Sequence, residues 1–322
     1  MRIRNLTPFA QLVYANEDAQ ARLFDILIVK QSYSFDDRFG LVQSPEQEPL
    51  NFTDHCFGDF NVSSLRYPSD LVPYKPRTDI ILIADAHAPG GQPRSHWDCG
   101  VRVAGRGKVL DRRLRVCGPR AWLPQWRGTP DENQPSTRST QGFQGWTLSD
   151  PERVATVPLI YENAFGGTTT AKDGYVTAYE YNPIGTGWID PDLTDHSQPV
   201  RAPQIEAPDA PLRDPYAMLP PAGLGPIPPA WLPRRPLGGT YDQDWVDNRW
   251  PHWAEDYQFA FHNSAAEGMK WDGFLAGDET VELTNLWPGA GTVTFQLPGD
   301  TVIAHLLPEE GDRQMFALNL DT

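Results

Sequence analysis

Short runs of alternating or continuous apolar residues, separated by glycine and proline, dominate the hydrophobic pattern of this chain. In the first part they predict strands at residues 10–14, 23–35, 79–86, 100–104 and 109–117. Residues 24–29 are nearly continuous and rich in β-branched side chains, which is typical of a central strand covered on both faces. Gly105-Arg106-Gly107 lies between two runs and predicts a hairpin turn.

The second part of the chain alternates between proline-rich and β-like segments. Residues 129–135 predict an exposed loop, and residues 154–160 predict a further strand. Residues 182–251 carry so many prolines that little regular structure is expected, but their Trp and Tyr content favours an ordered loop packed over the core. A β-meander is predicted at residues 280–284, 292–297 and 301–307. The one helical turn is predicted at residues 264–271, with Ser264 as its cap.

These patterns together predict a mainly β fold: an antiparallel β-sandwich or barrel-like core, a long ordered loop rich in Pro, Gly and Trp, and very little helix. The 32 prolines and the apolar fraction of 39% argue against a helical bundle. A chain of 322 residues can bury a substantial core. We expect one β-rich domain over residues 1–322, or two packed β lobes at residues 1–150 and 151–322.

The charge is polarised along the chain. The net charge is −15, yet residues 94–127 hold nine Arg or Lys against Asp98 and Asp111, so this stretch is +7 and the remainder is −22. The overall acidity argues against nucleic-acid partners and against anionic membrane surfaces. The basic stretch either docks an acidic partner or forms the solvated face of a hairpin, in which Arg113 and Arg115 alternate with apolar residues.

The chain shows no sign of a targeting or membrane segment. Its first residues are followed by polar positions, and nowhere do about 18 apolar residues run together. The sequence therefore predicts a soluble cytoplasmic protein. Its three cysteines cannot all pair with one another, which agrees with a reducing compartment, and we expect buried free thiols.

Several candidate chemistries fail on spacing. Soft zinc ligands are present at His55, Cys56, His96, Cys99 and Cys117, but their spacing matches neither a finger nor a ribbon. Cys99 and Cys117 are better explained as small buried residues on paired strands. The sequence shows neither a phosphate-binding loop nor a nucleophile elbow. We therefore predict no metal, no cofactor and no small-molecule ligand.

The most enzyme-like assembly is a group of carboxylates among aromatic residues. Its members are Asp242, Asp244, Asp247, Glu255 and Asp256, beside Tyr241, Trp245, Trp250 and Trp253. Carboxylates next to aromatic platforms are what sugar recognition and glycoside hydrolysis require. A local acidic cluster is more often a capping and salt-bridge network, here with Arg249. A carbohydrate-active enzyme using Asp242 and Asp244 is therefore kept as an alternative.

A series of spaced motifs carries a family resemblance. The motifs include Tyr161-Glu162-x-Ala164-Phe165-Gly166-Gly167, Asn182-Pro183-x-Gly185-x-Gly187, Pro221-Ala222-Gly223-x-Gly225-Pro226, Gly239-Thr240-Tyr241-Asp242-x-x-Trp245-x-x-x-Arg249-x-Pro251, Asn263-x-Ala265 and Leu283-x-Asn285-Leu286. In this order and spacing they resemble a domain-of-unknown-function family of accessory proteins encoded in bacterial type VI secretion clusters. The resemblance extends from Arg22 onward.

The resemblance implies a bacterial cytoplasmic adaptor or chaperone that holds a secreted effector toxin and helps to load it onto the VgrG spike or its PAAR tip. It implies no catalytic residues. Members of the family tend to continue into another strand, so the resemblance implies either that the last strand is truncated here or that it is supplied otherwise. A structural subunit of the secretion apparatus is a further alternative.

An adaptor needs an exposed edge strand or an aromatic groove for its partner. We expect the partner-binding residues among Trp231, Tyr241, Asp242, Trp245, Arg249 and Trp250. The other motif residues are expected to build the fold: Tyr161, Glu162, Phe165, Gly166, Gly167, Asn182, Pro183, Gly185, Gly187, Asn263 and Asn285. Within that group, Glu162 is expected to pair with a motif arginine such as Arg249.

Overall fold

Short antiparallel strands make up most of the regular structure in the computed structural model, which describes residues 4–127, 142–170, 174–194, 196–308 and 311–322. The described strands are β1 Ala10–Glu17, β2 Leu23–Lys30, β3 Tyr33–Phe35, β4 Leu41–Gln43, β5 His55–Cys56, β6 Leu65–Tyr67, β7 Asp85–His87, β8 His96–Gly105, β9 Lys108–Cys117, β10 Arg120–Trp126, β11 Phe143–Leu148, β12 Thr156–Pro158, β13 Phe165–Gly166, β14 Thr168–Thr170, β15 Val176–Ala178, β16 Thr186–Gly187, β17 Val200–Ala202, β18 Ile205–Glu206, β19 Thr280–Trp287, β20 Ala290–Gln296, β21 Ile303–Leu306 and β22 Gln314–Ala317.

Helical structure in the described ranges is limited to one six-residue α-helix, α1 Gln243–Asn248, and to 3-10 turns. Those turns are Pro89–Gly91, Tyr161–Asn163, Arg235–Gly238 and Phe259–His262. The prediction of a mainly β, antiparallel fold with very little helix is confirmed. None of the described helices is long and apolar enough to cross a membrane. The exposed loop predicted at residues 129–135 lies outside the described residues.

A five-stranded sheet with the order β18-β9-β8-β19-β20 is the largest sheet. The β8–β9 hairpin closes at the pair Gly105↔Lys108. Its two-residue turn has positive φ at Arg106 (49°) and at Gly107 (78°), which gives the hairpin the twist its strands need. The predicted hairpin is confirmed.

The five-stranded sheet has one apolar and one polar face because side chains alternate along each strand. The apolar face carries buried residues such as Val101, Val103, Leu114, Val281 and Val293. The opposite face carries polar cross-strand neighbours that include Asp98↔Arg115, Arg102↔Asp111 and Glu282↔Thr294. The basic stretch therefore contributes its alternating arginines to a solvated face, where Arg115 pairs with Asp98 at 2.8 Å.

The apolar face is covered by smaller sheets and by ordered loops. The largest buried cluster joins the sheet to residues from distant segments, among them Ala86, Val157, Leu224 and Met269. Both halves of the chain supply residues to this cluster, and the division into domains stays a prediction. Cys99 and Cys117 are buried on β8 and β9, and burial raises the pKa of the Cys99 thiol to about 12.

Two strand predictions were wrong. Strand β2 pairs only with β1, in a two-stranded sheet, and Leu23 is 80% exposed, so residues 24–29 are not a central strand. Residues 79–86 form regular strand only at β7. The extended chain before β7 is satisfied instead by single backbone bonds, such as Ile80 N–H to Met269 O and Leu82 N–H to Leu224 O. A hydrophobic run alone does not distinguish a central strand from a strand at the edge of a small sheet or from an irregular extended segment, because all of them bury apolar side chains.

The helix prediction was also wrong in position. Residues 264–271 contain no helix, and Ser264 does not cap one. Its backbone N–H and hydroxyl both donate to the carboxylate of Asp79 instead, at 2.8 and 3.4 Å. The described α-helix begins after Asp242, within the proline-rich segment. Of the predicted meander, β19 and β20 pair as expected, whereas β21 pairs with β22 in a separate sheet.

Candidate functional site

Helix α1 is held at its start by Asp242. One Asp242 carboxylate oxygen accepts a hydrogen bond from the backbone N–H of Trp245 at 3.1 Å, which satisfies a donor that the first turn of a helix leaves open. Just before it, Thr240 donates through its N–H and its hydroxyl to the Asp256 carboxylate, both at 2.8 Å. A short helix is marginal alone, so these bonds fix its position.

Three aromatic rings pack together at this helix, one from the helix itself and two from the residues that flank it. Tyr241 and Trp245 meet edge to face with ring centroids 4.8 Å apart, and Trp245 meets Trp250 in the same way at 5.6 Å. The indole N–H of Trp245 donates to the carbonyl of His252 at 2.8 Å. The rings are therefore held in defined orientations.

Arg249 anchors the end of this segment to the first hairpin. Its guanidinium donates to the carbonyls of Trp253 and of Ala19, which lies between β1 and β2. His252 lies 3.0 Å from the Glu17 carboxylate and adds a second tie to the same hairpin. Arg249 thus has a positioning role in this segment.

Apolar side chains on and beside α1 that face solvent form an exposed patch, which we call the α1 surface. Trp250 is 68% exposed, Val246 50% and Tyr241 49%, while Trp245 is half-buried beneath them. Exposed carboxylates of Asp242, Asp244 and Asp247 flank them. The sequence predicted the aromatic members of this surface and missed Val246. The available signal was its position next to Trp245 in a turn that Asp242 caps.

The carboxylates of α1 have local hydrogen-bond partners. Asp244 accepts from the Asn248 side chain at 2.8 Å and Asp247 from Gln243 at 2.9 Å, while Asp242 caps the helix. Glycoside hydrolysis needs two carboxylates on opposite sides of a bound sugar. Asp242 and Asp244 are instead two positions apart on one exposed turn, so the geometry gives them helix-stabilising roles.

Trp231 does not belong to the α1 surface. It is only 6% exposed and packs edge to face on Tyr161, with ring centroids 5.6 Å apart. The expectation that Trp231 would present its ring to a partner was wrong. A tryptophan in a proline-rich loop looks the same in sequence whether it faces solvent or the core.

The first motif builds a packed junction around Tyr161. Its hydroxyl donates to the carbonyl of Gly225 at 3.0 Å, and a Cβ placed on Gly223 would lie 2.7 Å from its ring. Glu162 accepts hydrogen bonds from the N–H and the hydroxyl of Ser64, the former at 2.9 Å. The expected pairing of Glu162 with Arg249 was therefore wrong.

Asn182 ties the second motif to the first. Its side-chain amide donates to the carbonyls of Tyr161 and Phe165 at 2.8 and 3.0 Å. A Cβ on Gly166 would lie 2.1 Å from Asn182 O, and one on Gly185 would lie 2.3 Å from its side-chain nitrogen. Neither position has room for a Cβ, because Gly166 lies against the backbone of Asn182 and Gly185 lies against its side chain.

The remaining motif residues also lie in structural positions. Phe165 is buried, Pro183 is half-buried beside Asn182, and Gly167 donates its N–H to Asn182 O at 2.9 Å. The Gly187 carbonyl accepts from the Trp122 indole at 3.2 Å. Asn263 donates to Asp79 at 3.0 Å, and Asn285, at a positive φ of 55°, donates to the Asp98 carbonyl at 2.8 Å.

Within the described ranges, no group of three or more His, Cys, Asp or Glu side chains is arranged to hold a metal ion. His96 and Cys117 form a cross-strand pair, with Cys117 buried, whereas Cys56 lies in the separate β5–β6 hairpin. The structure therefore does not bring the candidate zinc ligands together.

Comparison with known proteins places the chain in a family. A family model described as "Uncharacterized protein conserved in bacteria (DUF2169)" matches residues 22–322. Because this match spans most of the chain, the protein belongs to that bacterial family. No curated protein and no solved structure matches the chain.

Proposed function

We propose that this DUF2169 protein is a non-catalytic adaptor or chaperone of bacterial type VI secretion, which binds one effector toxin and assists its loading onto the VgrG spike or its PAAR tip. In this proposal it acts in the bacterial cytoplasm through protein–protein contacts. The secretion context rests on the motif resemblance. The binding role rests on the α1 surface.

The observation that carries the binding role is a set of large apolar side chains held in solvent by a rigid scaffold. Trp250 is 68% exposed, although its ring packs on Trp245 and its neighbour Arg249 is bonded to the first hairpin. Tyrosine and tryptophan dominate binding energy in protein interfaces. Anchors that are already immobile lose little conformational entropy on binding, so such a patch suits partner capture.

The chemistry around these anchors favours a partner with both apolar and cationic groups. Three exposed aspartates surround the rings. Arginine or lysine on the partner would gain from these carboxylates and from the faces of the aromatic rings. The contact would combine a central aromatic anchor with a polar rim.

The test is capture of partners by the tagged full-length chain from native lysate of its own bacterium, with mass spectrometry. We compare the unaltered protein with the double variant Tyr241→Ala/Trp250→Ala. The matched control is Phe60→Ala, which removes an equally exposed aromatic ring (67%) far along the chain from α1. We expect one toxin and a spike component with the unaltered chain and with the control, and at least a roughly tenfold loss with the double variant.

Recovery of neither a toxin nor a spike component would overturn the proposal, as would equal capture by the double variant. Deletion of the gene separates the remaining alternatives. An adaptor is needed for secretion of its own effector, whereas a structural subunit is needed for all effectors. Loss of a sugar-cleaving activity in Asp242→Asn or Asp244→Asn, with the fold retained, would favour the enzyme.

A further inference from the structure

Strand β9 has one edge that is paired over only part of its length. Strand β8 covers one side of β9 from Lys108 to Cys117, whereas β18 covers the other side only at Arg115 and Val116. Beyond that point the chain turns away at the bridge Ala207↔Ala210. The first half of β9 is therefore an open edge of the central sheet.

The direction of the free backbone groups follows from the ladder. In an antiparallel pair, successive residues point their N–H and C=O groups to opposite sides. Cys117 N–H donates away from β8, to Gln204 O at 2.7 Å, so the odd-numbered residues of β9 face the open side. The outward groups of Val109, Asp111 and Arg113 have no hydrogen-bond partner in the described part of the chain. The open edge runs from Val109 to Arg113. Because a strand rises about 3.3 Å per residue, this edge has room for a partner strand of about five residues.

A groove runs beside this edge. A cavity of about 450 Å³ lies between two walls. One wall is Lys108, Val109, Leu110 and Asp111, and the other is Gly268, Lys270, Trp271 and Asp272. At one end Lys108 donates to the carbonyl of Asp272 at 2.7 Å, which fixes the separation of the walls.

Two cations at this groove lack partners within the described ranges. Arg113 pairs with Asp111 and Lys108 with Asp272. The backbone of Lys270 forms a β-bridge with Asp79, but its side chain has neither a hydrogen bond nor an ion pair within the described ranges. Arg112 lies beside Gly268 in the groove wall. A Cβ placed on Gly268 would be 3.6 Å from the Cδ of Arg112. The Nε of Arg112 is buried and has no acceptor there. An arginine N–H that has no acceptor within the protein can donate to a carboxylate brought by a partner.

The opposite edge of the same sheet offers a contrast. Leu297 N–H donates to Glu279 O, so Thr292, Thr294 and Gln296 of β20 face away from β19. The β20 strand itself carries no charged side chain. Charged side chains on an edge strand often only prevent aggregation. At the β9 edge, however, Arg112 on the strand and Lys270 across the groove have no anionic partner within the described ranges.

We propose that the open edge of β9 is a second docking site, which binds an extended acidic segment of a partner protein by strand addition. The segment's backbone would pair with Val109, Asp111 and Arg113, and its carboxylates would meet Arg112 and Lys270. Backbone pairing supplies affinity and side-chain pockets supply selectivity in this mode. The complementarity is electrostatic: Lys108 is paired with Asp272 and Arg113 with Asp111, so Lys270 and Arg112 are the charges left for a partner at this edge.

The probe is a fluorescent, terminally blocked peptide of about seven residues in which glutamate alternates with valine, a length that covers the open edge. Two matched peptides accompany it: one has glutamine for glutamate, and one has N-methyl groups on alternate backbone amides. Binding to the full-length protein is measured by fluorescence anisotropy. We expect saturable binding to the first peptide, at least about tenfold weaker binding to the glutamine peptide, and loss of binding with N-methylation.

The protein variants locate the site. Val109→Pro removes an outward N–H without changing the charge or the β8 ladder, and Thr294→Pro does the same on the β20 edge. We expect Val109→Pro to abolish binding and Thr294→Pro to leave it unchanged. Lys270→Gln should weaken binding about fivefold or more, whereas Arg38→Gln, at an exposed arginine elsewhere, should not. Circular dichroism confirms that each variant is folded.

Three results would overturn the proposal. The first is no binding of the glutamate peptide at about 1 mM. The second is equal binding of the N-methylated peptide, which would indicate charge attraction without strand addition. The third is sensitivity to Thr294→Pro but not to Val109→Pro, which would place the strand on the other edge. None of these results bears on the α1 surface, because the capture experiment uses other residues.

Discussion

The side-chain nitrogen of Lys75 lies 3.5 Å from a carboxylate oxygen of Asp79, and the two side chains are only 7% and 0% exposed. The same carboxylate accepts from the Asn263 side chain at 3.0 Å and from the Ser264 N–H at 2.8 Å. This buried cluster joins the extended chain before β7 to the loop after His262. It therefore fixes one motif residue, Asn263, through residues that belong to no motif.

Removing the cation of this pair should be costly. We expect Lys75→Met to lower the free energy of unfolding by about 3–5 kcal/mol, because Asp79 would remain buried without its counter-ion. Urea denaturation measures this change. The control is Arg115→Met, which breaks the solvent-exposed pair with Asp98 and should cost about 0–1 kcal/mol. Similar losses in the two variants would contradict a special role for the buried pair.

The second prediction concerns the contact between Gly223 and Tyr161. A Cβ at Gly223 would lie 2.7 Å from the Tyr161 ring, so Gly223→Ala should destabilise the protein by about 1–3 kcal/mol through overpacking. Gly291→Ala is the matched control, because no described atom lies within 4 Å of its new Cβ. Thermal unfolding of both variants decides the matter. An unchanged midpoint for Gly223→Ala would show that the ring moves freely.

The third prediction concerns pH. Burial lowers the pKa of His262 from 6.5 to about 4, with Arg234 and Lys75 adding repulsion, and the ring nitrogen lies 2.5 Å from the Tyr257 hydroxyl. As pH falls from about 6.5 towards 4, the unfolded chain takes up the proton before the folded protein does. Stability should therefore decline by about 3 kcal/mol over this range.

Denaturation curves across these pH values test the assignment to His262. The variant His262→Gln should lose this part of the pH dependence, because it no longer titrates. His55→Gln, at an exposed histidine, should keep it. If both variants kept the full pH dependence, another group would be responsible.

The fourth prediction separates the capping oxygen of Asp242 from its negative charge. Asparagine caps a helix as well as aspartate, so Asp242→Asn should leave α1 intact, whereas Asp242→Ala should cost about 1 kcal/mol locally. Hydrogen exchange of the amides in α1 reports this difference. Faster exchange in both variants alike would show that the negative charge, and not the capping oxygen, stabilises the turn.

Part of the fold followed from local rules in the sequence. The β8–β9 hairpin was predicted because Gly105-Arg106-Gly107 supplies the positive φ that a two-residue turn needs. The alternation of Arg113 and Arg115 with Leu114 and Val116 predicted the two faces of β9 in the same way. These predictions succeeded because each depends on residues that are neighbours in the chain.

The errors occurred where a residue's environment is set by distant segments. The sequence of β2 is as apolar as a central strand, but nothing in it shows that the five-stranded sheet forms elsewhere. Ser264 has the spacing of a helix cap, yet the buried Asp79 carboxylate, 185 positions away, takes its hydrogen bonds. Trp231 and Trp250 look alike in sequence. Trp231 is buried because it packs on Tyr161, whereas Trp250 is exposed.

The β-rich class, the main hairpin, the scarcity of helix and the motifs that mark the family are readable from the sequence, because they depend on local backbone preferences and on residue order. Which aromatic rings of the proline-rich loop face solvent follows from the three-dimensional packing. The same packing leaves β9 with an open edge beside unpaired cations. Exposure and pairing depend on which distant segments cover a residue, and hydrophobic pattern does not encode that choice.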